Sequence, residues 1–234
     1  MRWAFLNLAG HPRGRAMLGA LLDAGLEPQL VIEEESALAA SSLAFFEREM
    51  PGQHPPAMAE LLRGRAVVRI AVANLNGADA AAALRLCAPD LVVLGDTRII
   101  GPELRGIPPR GTINVHPGWL PDVRGNNPYI WALVHDLPLG CSAHYIDESI
   151  DTGPLLARRR IHVDGPMPFS ELLREINRVS AELIVEVVRA HRDGPVRSQP
   201  QHGASTTFTK APQDAREIAK RKLAEGHYRS PSVA

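Results

Sequence analysis

The stretch "PDLVVLGD", Pro89 to Asp96, carries the clearest strand pattern in the sequence. Four consecutive apolar residues follow its Pro-Asp pair, which is typical of a strand buried on both faces of a parallel sheet. An alanine-rich segment with helical character, "ADAAAALRLCA", comes before it, and a second apolar run, "GTINVH" (111–116), comes after it. Similar strand and helix segments alternate back to "RWAFLNLA" near the N-terminus. This alternation predicts an α/β fold with a mostly parallel, twisted sheet and helices on both faces.

The composition is that of an ordinary globular protein. The chain has 234 residues, of which 45% are hydrophobic and 22% charged, and this size and balance fit one α/β domain with a small appendage. The formal net charge is zero, which argues against a nucleic-acid binder or a membrane-surface protein. Two cysteines, Cys87 and Cys141, cannot form a disulfide framework, and no apolar run has the length of a signal-sequence core or a membrane span. We therefore expect a cytoplasmic location.

The chain divides into two parts by its pattern. Residues 1–196 form the predicted α/β domain, which ends with the long amphipathic segment "PMPFSELLREINRVSAELIVEVVRAHRDG". Residues 197–234 form a polar C-terminal extension that shows no core pattern and in which Lys and Arg outnumber Asp and Glu. Two interpretations of this tail stay open. Either it wraps the domain or a partner, with a short helix around "PQDAREIAKRKLA", or it is solvated and partly disordered.

Polar side chains stand at the end of the predicted strand "GTINVH" and in the later loop "HYIDESIDTG". Asn114 and His116 are two residues apart, so on a strand they point to the same face, and ligands of α/β proteins bind at the carboxyl ends of strands. An amide N–H and an imidazolium suit a carbonyl oxygen that becomes an oxyanion. Asp147 or Asp151 in the loop could take the proton from an attacking amine. The alternative is structural, because Asn, Asp and Gly are common turn residues and most histidines serve packing.

Three segments together resemble a known family: "INVHPGWLP", "VRGNNP" and "GCSAHYIDESIDTGPLL". Their order is Asn-x-His, Leu-Pro, Arg-Gly, a helix, a strand ending in His, and Asp-x-x-x-Asp-x-Gly. It is similar to that of the 10-formyltetrahydrofolate-dependent formyltransferases, which act on glycinamide ribonucleotide, methionyl-tRNA or amino sugars. The resemblance is strong over residues 89–161, weaker over residues 1–88 and poor in the tail. It implies the Rossmann-like formyltransferase fold and a transferase of one-carbon metabolism that uses 10-formyltetrahydrofolate and no metal.

The resemblance also implies roles for single residues. Asn114 and a protonated His116 match the pair that stabilises the oxyanion, and Asp151 matches the residue that relays the proton. The segment "LGDTRIIGPEL" is similar to the one whose backbone binds the pterin edge. His144 and Asp147 match positions that wall the pterin pocket. The cofactor-binding residues implied in this way are Arg98, Ile99, Ile100, His144 and Asp147.

The acceptor is less clearly specified than the donor. Related tRNA enzymes carry a further C-terminal domain, and this chain has no net basic charge, so we expect no nucleic-acid partner and no membrane partner. The glycinamide ribonucleotide enzymes have a Gly/Ser/Asn-rich phosphate turn, whereas this chain has "AGHPRGR", in which Pro12 lacks an N–H donor. A small-molecule amine is therefore expected, either a nucleotide-linked amino sugar or an amine of a natural product or amino acid. Arg13, Trp119 and Arg124 are the candidate acceptor contacts, and the sequence leaves a homodimer open.

Other functions remain as alternatives. A formyltetrahydrofolate hydrolase would use water as the acceptor, and a glycinamide ribonucleotide formyltransferase would use the purine precursor. A non-catalytic folate- or nucleotide-binding module would keep the pocket without the chemistry. A metal-dependent amidohydrolase would need a set of ligands, although the sequence has no compact metal-binding motif. The candidate ligands for such a metal are His116, His144, Asp147 and Asp151.

Overall fold

The computed structural model describes residues 1–52, 54–203, 206–229 and 231, and a seven-stranded sheet forms its centre. The strands of this sheet are β1 (Trp3–Leu8), β2 (Leu30–Glu34), β3 (Val68–Val72), β4 (Leu91–Leu94), β5 (Thr112–His116), β7 (Gly140–Tyr145) and β8 (Leu155–Arg160). A separate pair consists of β6 (Val123–Gly125) and β9 (Thr206–Phe208). The helices are α1 (Pro12–Asp23), α2 (Ala37–Glu49), α3 (Met58–Leu61), α4 (Ala78–Cys87), α5 (Pro102–Arg105), α6 (Pro128–His135), α7 (Phe169–Asp193) and α8 (Gln213–Ala224). None of the helices in these ranges has both the length and the apolar character that crossing a membrane requires.

The strand order of the large sheet is β3-β2-β1-β4-β5-β7-β8. The five strands from β3 to β5 pair in parallel, and β7 and β8 add antiparallel pairs at one end. This confirms the predicted α/β fold with a mostly parallel sheet. Because β2 lies on one side of β1 and β4 on the other, the strand order reverses at β1. A ligand crevice is expected beyond the carboxyl ends of β1 and β4.

Alternating strand side chains pack into two cores, one on each face of the sheet. On one face, Phe5 of β1 shares a core with Leu21 of α1 and Ile184 of α7. On the other face, Leu6 of β1 shares a core with Leu84 of α4. All five side chains are fully buried. Helices therefore cover both faces, as the alternation of strand and helix segments predicts.

The C-terminal segment adds a layer to the first of these cores. Helix α8 packs against α6, and β9 pairs in parallel with β6. The side chains that this segment buries include Ala211, Ala215, Ala219, Leu223 and Tyr228. The first four are spaced four residues apart, close to the helical repeat. Because three of these four are alanines set among charged residues, the apolar stripe is easily overlooked.

The prediction that the tail lacks a core pattern is wrong, and its interpretation as a segment that wraps the domain is confirmed. The division of the chain at residue 196 stays a prediction.

Candidate active site

A cavity of about 1040 Å³ lies beyond the carboxyl ends of the central strands. It is lined by Leu8 at the end of β1, by Leu94 at the end of β4, and by Asn114 and His116 of β5. Its volume is at the upper end of the range for small-molecule and cofactor sites. The structure therefore brings both residues of the Asn-x-His pair to the edge of the sheet at which ligands are expected.

Four polar side chains converge at the end of β5. The pairing of β5 with β7 places Asn114 opposite His144, and the Asn114 Nδ2 is 3.3 Å from the His144 Nε2. The Asp151 carboxylate reaches both histidines: its Oδ2 is 3.3 Å from the His116 Nδ1, and its Oδ1 is 3.5 Å from the His144 Nε2. The three residues predicted as oxyanion donors and proton relay thus lie together. His144 contacts Asn114 and Asp151 and is not one of the described residues that line the cavity, so its place in the wall of the pterin pocket stays a prediction.

Backbone carbonyls determine which ring nitrogens of the two histidines carry hydrogen, because a carbonyl oxygen can only accept. The His116 Nε2 therefore donates to the Val123 carbonyl oxygen at 2.9 Å. The His144 Nδ1 donates to the Tyr145 carbonyl oxygen at 2.8 Å. In the neutral rings, the two remaining nitrogens, which face Asp151, are unprotonated. The lone pair of the His116 Nδ1 and the Asp151 carboxylate, 3.3 Å apart, together form an acceptor for one proton.

Burial and charge act in opposite directions on this trio. Burial lowers the pKa of His116 below its ordinary 6.5, and the attraction of Asp151 offsets only part of that effect. Burial alone would raise the pKa of Asp151, but its interactions with His116 and His144 bring that pKa well below the ordinary aspartate value. At neutral pH the resting site therefore contains an ionised Asp151 and a neutral His116. The protonated His116 implied by the resemblance forms only when the trio takes up a proton.

The loop that carries Asp151 has an unusual backbone conformation. Asp151 has a φ of +54°, in the left-handed region that non-glycine residues seldom adopt. Its Oδ2 accepts a hydrogen bond from the Gly125 N–H at 2.9 Å, which ties the loop to β6. Two residues later, Gly153 passes so close to the Tyr145 carbonyl group that a Cβ at Gly153 would lie 1.8 Å from its oxygen. The small turn residues after Asp151 therefore let the loop fold back toward the strand end.

Replacing Gly153 by Ala is expected to destabilise the protein by about 3 kcal/mol, because a backbone oxygen held in a sheet cannot yield to the new Cβ. Gly165→Ala is the matched control, since a Cβ at Gly165 meets no atom within 4 Å. Urea unfolding of the two variants measures the difference in free energy of unfolding. Equal unfolding midpoints for the two variants would contradict the close approach between Gly153 and Tyr145.

The segment between β4 and α5 forms one side of the cavity. Arg98, Ile99 and Ile100, which the resemblance assigns to the pterin edge, all line it. Arg98 donates two hydrogen bonds to the buried Glu34 carboxylate, at 2.6 and 2.7 Å, so its guanidinium is engaged inside the protein. Asn76 donates to the Ile99 carbonyl oxygen at 2.9 Å and holds the backbone of this segment. What the segment offers a ligand is therefore its backbone and the side chains of the two isoleucines.

Exposed apolar side chains surround the mouth of the cavity. Ile99 is 73% exposed, Leu38 and Ile150 are exposed as well, and all three line the cavity. Large apolar side chains that stay in contact with water around a cavity are typical of a ligand site. Asp147 lines the same cavity, and its Oδ1 accepts a hydrogen bond from the Thr152 hydroxyl at 2.6 Å. This side of the cavity therefore combines an apolar rim with a fixed carboxylate.

Two of the candidate acceptor contacts, Trp119 and Arg124, are not among the described residues that line the cavity. The guanidinium groups of Arg158 and Arg160 lie over the Trp119 ring, 4.5 and 5.4 Å from its centre. Arg124 donates to the side-chain oxygen of Gln201 at 2.8 and 3.2 Å. Closeness to Asn-x-His in the sequence therefore does not bring these two side chains into the cavity lining, and the acceptor contacts assigned to them stay predictions.

A polar cluster that the sequence pattern did not reveal lies at the first turn of α1. Arg13 is 7% exposed and donates to the Val115 carbonyl oxygen and to the Asp96 carboxylate. The His11 Nε2 is 3.3 Å from the same carboxylate, whose side chain remains 25% exposed. His11, Arg13 and Asp96 all line the cavity. Arg13 thus lines the cavity with its guanidinium paired to Asp96, and the acceptor contact assigned to it stays a prediction.

The titration of His11 should be visible in the pH dependence of stability. Burial lowers the pKa of His11 from 6.5 to about 4. Between these two pH values the unfolded chain binds a proton at His11 that the folded protein does not bind. The free energy of unfolding therefore falls as the pH drops from 6.5 to 4. His11→Gln keeps an N–H for Asp96 but does not titrate. Between pH 7 and pH 4, we expect it to lose less stability than wild-type protein, by on the order of 3 kcal/mol.

Urea unfolding at the two pH values measures this difference. His162→Gln, at an exposed position, is the control and should behave as the wild-type protein does. An equal loss of stability in His11→Gln and wild type would show that His11 is not held neutral by burial.

The C-terminal segment supplies a further part of the cavity wall. Thr207, Lys210 and Arg216 line it, and none of them is suggested by the resemblance, which is poor in this region. Arg216 donates to the Asn127 Oδ1 at 3.2 Å, and its guanidinium lies over the ring of Phe45 of α2 at 5.4 Å. The tail and α2 therefore face each other across one side of the cavity.

A family model described as "Formyl transferase" matches residues 31–188, more than half of the chain. The chain belongs to the formyl transferase family. The methionyl-tRNA formyltransferase of Roseiflexus sp. (strain RS-1) is 35% identical over 139 residues, which are 58% of this chain and 43% of that protein. The methionyl-tRNA formyltransferase of Myxococcus xanthus (strain DK1622) is 33% identical over 148 residues, which are 62% of this chain and 47% of that protein. The chain thus spans about half the length of the curated relatives it matches.

Solved structures of formyltransferases share the fold. The formyltransferase PseJ from Anoxybacillus kamchatkensis, in complex with UDP-4,6-dideoxy-4-formamido-L-AltNAc and tetrahydrofolate, has a TM-score of 0.56 at 18% identity, over 88% of this chain and 85% of that chain. Glycinamide ribonucleotide transformylase 1 from Symbiobacterium toebii has a TM-score of 0.64 at 18% identity, over 86% of this chain and 95% of that chain. These structures confirm the predicted formyltransferase fold. Among the described residues, no group of three or more His, Cys, Asp or Glu side chains is placed to hold a metal ion.

Proposed function

We propose that this member of the formyl transferase family is an N-formyltransferase, which moves a formyl group from 10-formyltetrahydrofolate to the primary amine of a small molecule. The observation that carries the proposal is the contact of Asp151 with His116 and His144, beside Asn114, at the end of β5. Acyl transfer to an amine needs a hydrogen-bond donor for the carbonyl oxygen and a group that accepts and returns a proton. The family to which the chain belongs supports the same reaction.

The side of the cavity formed by the β4–α5 segment suits the folate. Folate has a flat ring system with hydrogen-bonding groups along one edge. Residues 98–100 line this side and would meet that edge through their backbone, and the exposed side chains of Leu38, Ile99 and Ile150 are available for the apolar body of the molecule. When bound, 10-formyltetrahydrofolate supplies the formyl group on an amine nitrogen. The volume of about 1040 Å³ leaves room for a second substrate beside it.

Asn114 and His116 act on the formyl oxygen in different ways. As an amine attacks the formyl carbon, negative charge develops on that oxygen. The Asn114 amide has two N–H groups, of which one meets His144, so the other is available to the oxygen. His116 directs its Nε2 hydrogen to the Val123 carbonyl, so it stabilises the charge through protonation of its ring rather than through a resting hydrogen bond.

Asp151 and His116 together handle the proton. The attacking amine must lose one proton, and the Asp151 carboxylate accepts it and shares it with the His116 Nδ1 at 3.3 Å. The folate nitrogen that leaves must gain one proton. The same proton therefore passes from the attacking nitrogen to the leaving nitrogen, and no net proton is consumed.

The acceptor fits the opposite side of the cavity, between α2 and the C-terminal segment. Phe45, Lys210 and Arg216 line this side. At the first turn of α1, Arg13 is paired with Asp96, and the negative charge of the Asp96 carboxylate disfavours a phosphate there. A glycinamide ribonucleotide acceptor, which carries a phosphate, is therefore disfavoured as well. A nucleotide-linked amino sugar, as in the PseJ complex, is the leading candidate, and an amino-acid or natural-product amine belongs to the same class.

Methionyl-tRNA is the second candidate acceptor. The curated relatives at 35% and 33% identity both carry the name methionyl-tRNA formyltransferase. Lys210 and Arg216 would place cations at the margin of the cavity, where the end of a nucleic acid could approach. Because the chain spans about half of those relatives, the two acceptors have to be separated by experiment.

An acceptor screen tests the proposal. Purified protein is incubated with 10-formyltetrahydrofolate and, in separate reactions, with nucleotide-linked amino sugars, amino acids, glycinamide ribonucleotide and methionyl-tRNA. We expect one class of acceptor to gain the mass of a formyl group. Release of formate with no acceptor present would instead indicate a hydrolase. If the protein neither binds folate nor transfers a formyl group, the proposal is wrong.

A further inference from the structure

The side chain of Gln201 connects the C-terminal segment to the loop that carries Asp151. Its Nε2 donates to the Asp151 carbonyl oxygen at 2.9 Å and to the Gly153 carbonyl oxygen at 2.8 Å. Its Oε1 accepts from the Arg124 Nε at 3.2 Å and from the Arg124 Nη2 at 2.8 Å. The side chain of Gln201 thus uses both N–H groups and its oxygen in one half-buried place.

Arg124 determines which way this amide points. A guanidinium has only donors, so the oxygen of Gln201 must face Arg124 and the NH₂ group must face the loop. The backbone of the neighbouring segment is fixed as well, because Gln199 and Leu155 exchange N–H···O=C hydrogen bonds of 2.8 Å in both directions. Gln201 is therefore presented to the loop from a rigid support, and Arg124 belongs to that support.

The loop needs such a support where Gln201 contacts it. Asp151 has a φ of +54°, and a non-glycine residue in this region is strained by on the order of 1 kcal/mol or more. Gln201 binds the carbonyl groups of Asp151 and Gly153, which belong to this strained turn. The side-chain carboxylate of Asp151 lies 3.3 Å from the His116 Nδ1. A change in the turn would therefore move the carboxylate relative to the imidazole.

We propose that Gln201 is a positioning residue: its two N–H groups hold the backbone of the Asp151–Gly153 turn and thereby keep the Asp151 carboxylate beside His116 and His144. The kinetic part of this inference rests on the proposed formyl transfer, whereas the structural part does not. Gln201 acts through Asp151 and has no role in contact with either substrate. It also gives the C-terminal segment a direct part in the site that lies at the end of β5.

The test compares Gln201→Glu with Gln199→Glu. Both variants add one carboxylate to the same segment, but only Gln201→Glu removes the two N–H donors that bind the Asp151 and Gly153 carbonyl groups. The side chain of Gln199 is exposed, and the bonds of Gln199 to Leu155 are made by its backbone. With an acceptor from the screen, Gln201→Glu is expected to lower kcat by about 10- to 100-fold, as small misplacements of catalytic groups do, with the KM for 10-formyltetrahydrofolate unchanged. Gln199→Glu should retain the wild-type kcat.

A second readout does not depend on catalysis. The ¹⁵N chemical shift of the His116 Nδ1 in the free protein reports its contact with the Asp151 carboxylate. It is expected to move in Gln201→Glu and to stay at the wild-type value in Gln199→Glu. If the two variants share the same shift and the same kcat, the positioning role is overturned. If wild-type protein transfers no formyl group, the proposed function fails, and the chemical shift alone decides whether Gln201 positions Asp151.

A loss of folding stability would also lower kcat, so its effect has to be separated from that of positioning. If Gln201→Glu unfolds at a lower temperature than Gln199→Glu, the pair Gln201→Ala and Gln199→Ala provides the same comparison without the added charge. In that pair a loss of kcat in Gln201→Ala, without a change in the KM for folate, supports the inference. Equal kinetics and equal His116 shifts in the two alanine variants overturn it.

Discussion

Replacing Asp151 by Asn is expected to lower kcat for formyl transfer by about 10²- to 10⁴-fold, the usual contribution of a positioned proton acceptor. The amide has nearly the shape of the carboxylate and can still accept the Gly125 N–H, so the fold should be retained. It cannot take a proton from the attacking amine at neutral pH. Because the contacts proposed for the folate ring system are made by the β4–α5 segment and not by Asp151, the dissociation constant for 10-formyltetrahydrofolate should be unchanged.

Steady-state kinetics and a folate-binding titration measure the two quantities separately. Glu148→Gln is the matched control, because Glu148 lies exposed in the same loop and is not one of the described residues that line the cavity. It should retain wild-type kcat. An Asp151→Asn variant with wild-type kcat would contradict the assignment of the proton relay to this carboxylate.

The second large effect is expected from the Asn-x-His pair. Asn114→Ala removes the amide N–H that meets the formyl oxygen, and His116→Ala removes the imidazole that takes up charge beside it. Each change is expected to lower kcat by about 10²- to 10³-fold, as the loss of one oxyanion donor does in other enzymes. Folate binding should remain close to wild type, because neither side chain is assigned to the pterin edge.

His162→Ala, at an exposed position outside the cavity lining, is the control for His116→Ala. The double variant of Asn114 and Asp151 should lose much less than the product of the two single losses, because both residues act in one step and contact the same histidine, His144. If Asn114→Ala and His116→Ala both retain full kcat on the identified acceptor, the proposed mechanism is wrong.

The fold and the first half of the site are predictable because they depend on short-range patterns. The apolar run Leu91–Leu94 reads as a buried strand because both of its faces are covered by helices. Asn114 and His116 share a face because side chains on a strand alternate with a period of two. Asp96 lies two residues after the end of β4, so its place at the cavity could also have been inferred from the sequence.

The rest of the site depends on contacts between segments that are far apart in the chain. The pairing of Asn114 with His144 follows from the register of β5 and β7, which no local pattern specifies. The bond between Gln201 and Asp151 joins residues fifty positions apart. Trp119 shows the converse: it is close to His116 in sequence, but its ring packs under two arginines outside the cavity lining of the described residues.

Transfer of an isotopically labelled formyl group tests the central claim most directly, namely that Asn114, His116 and Asp151 form one formyl-transfer site. Labelled 10-formyltetrahydrofolate is incubated with the acceptor from the screen and with wild-type protein, Asn114→Ala or Asp151→Asn. We expect the label on the nitrogen of the acceptor with wild-type protein and almost none there with either variant, although all three proteins bind the folate. Equal labelling of the acceptor by all three proteins, or label that remains on the folate in every case, would contradict the claim.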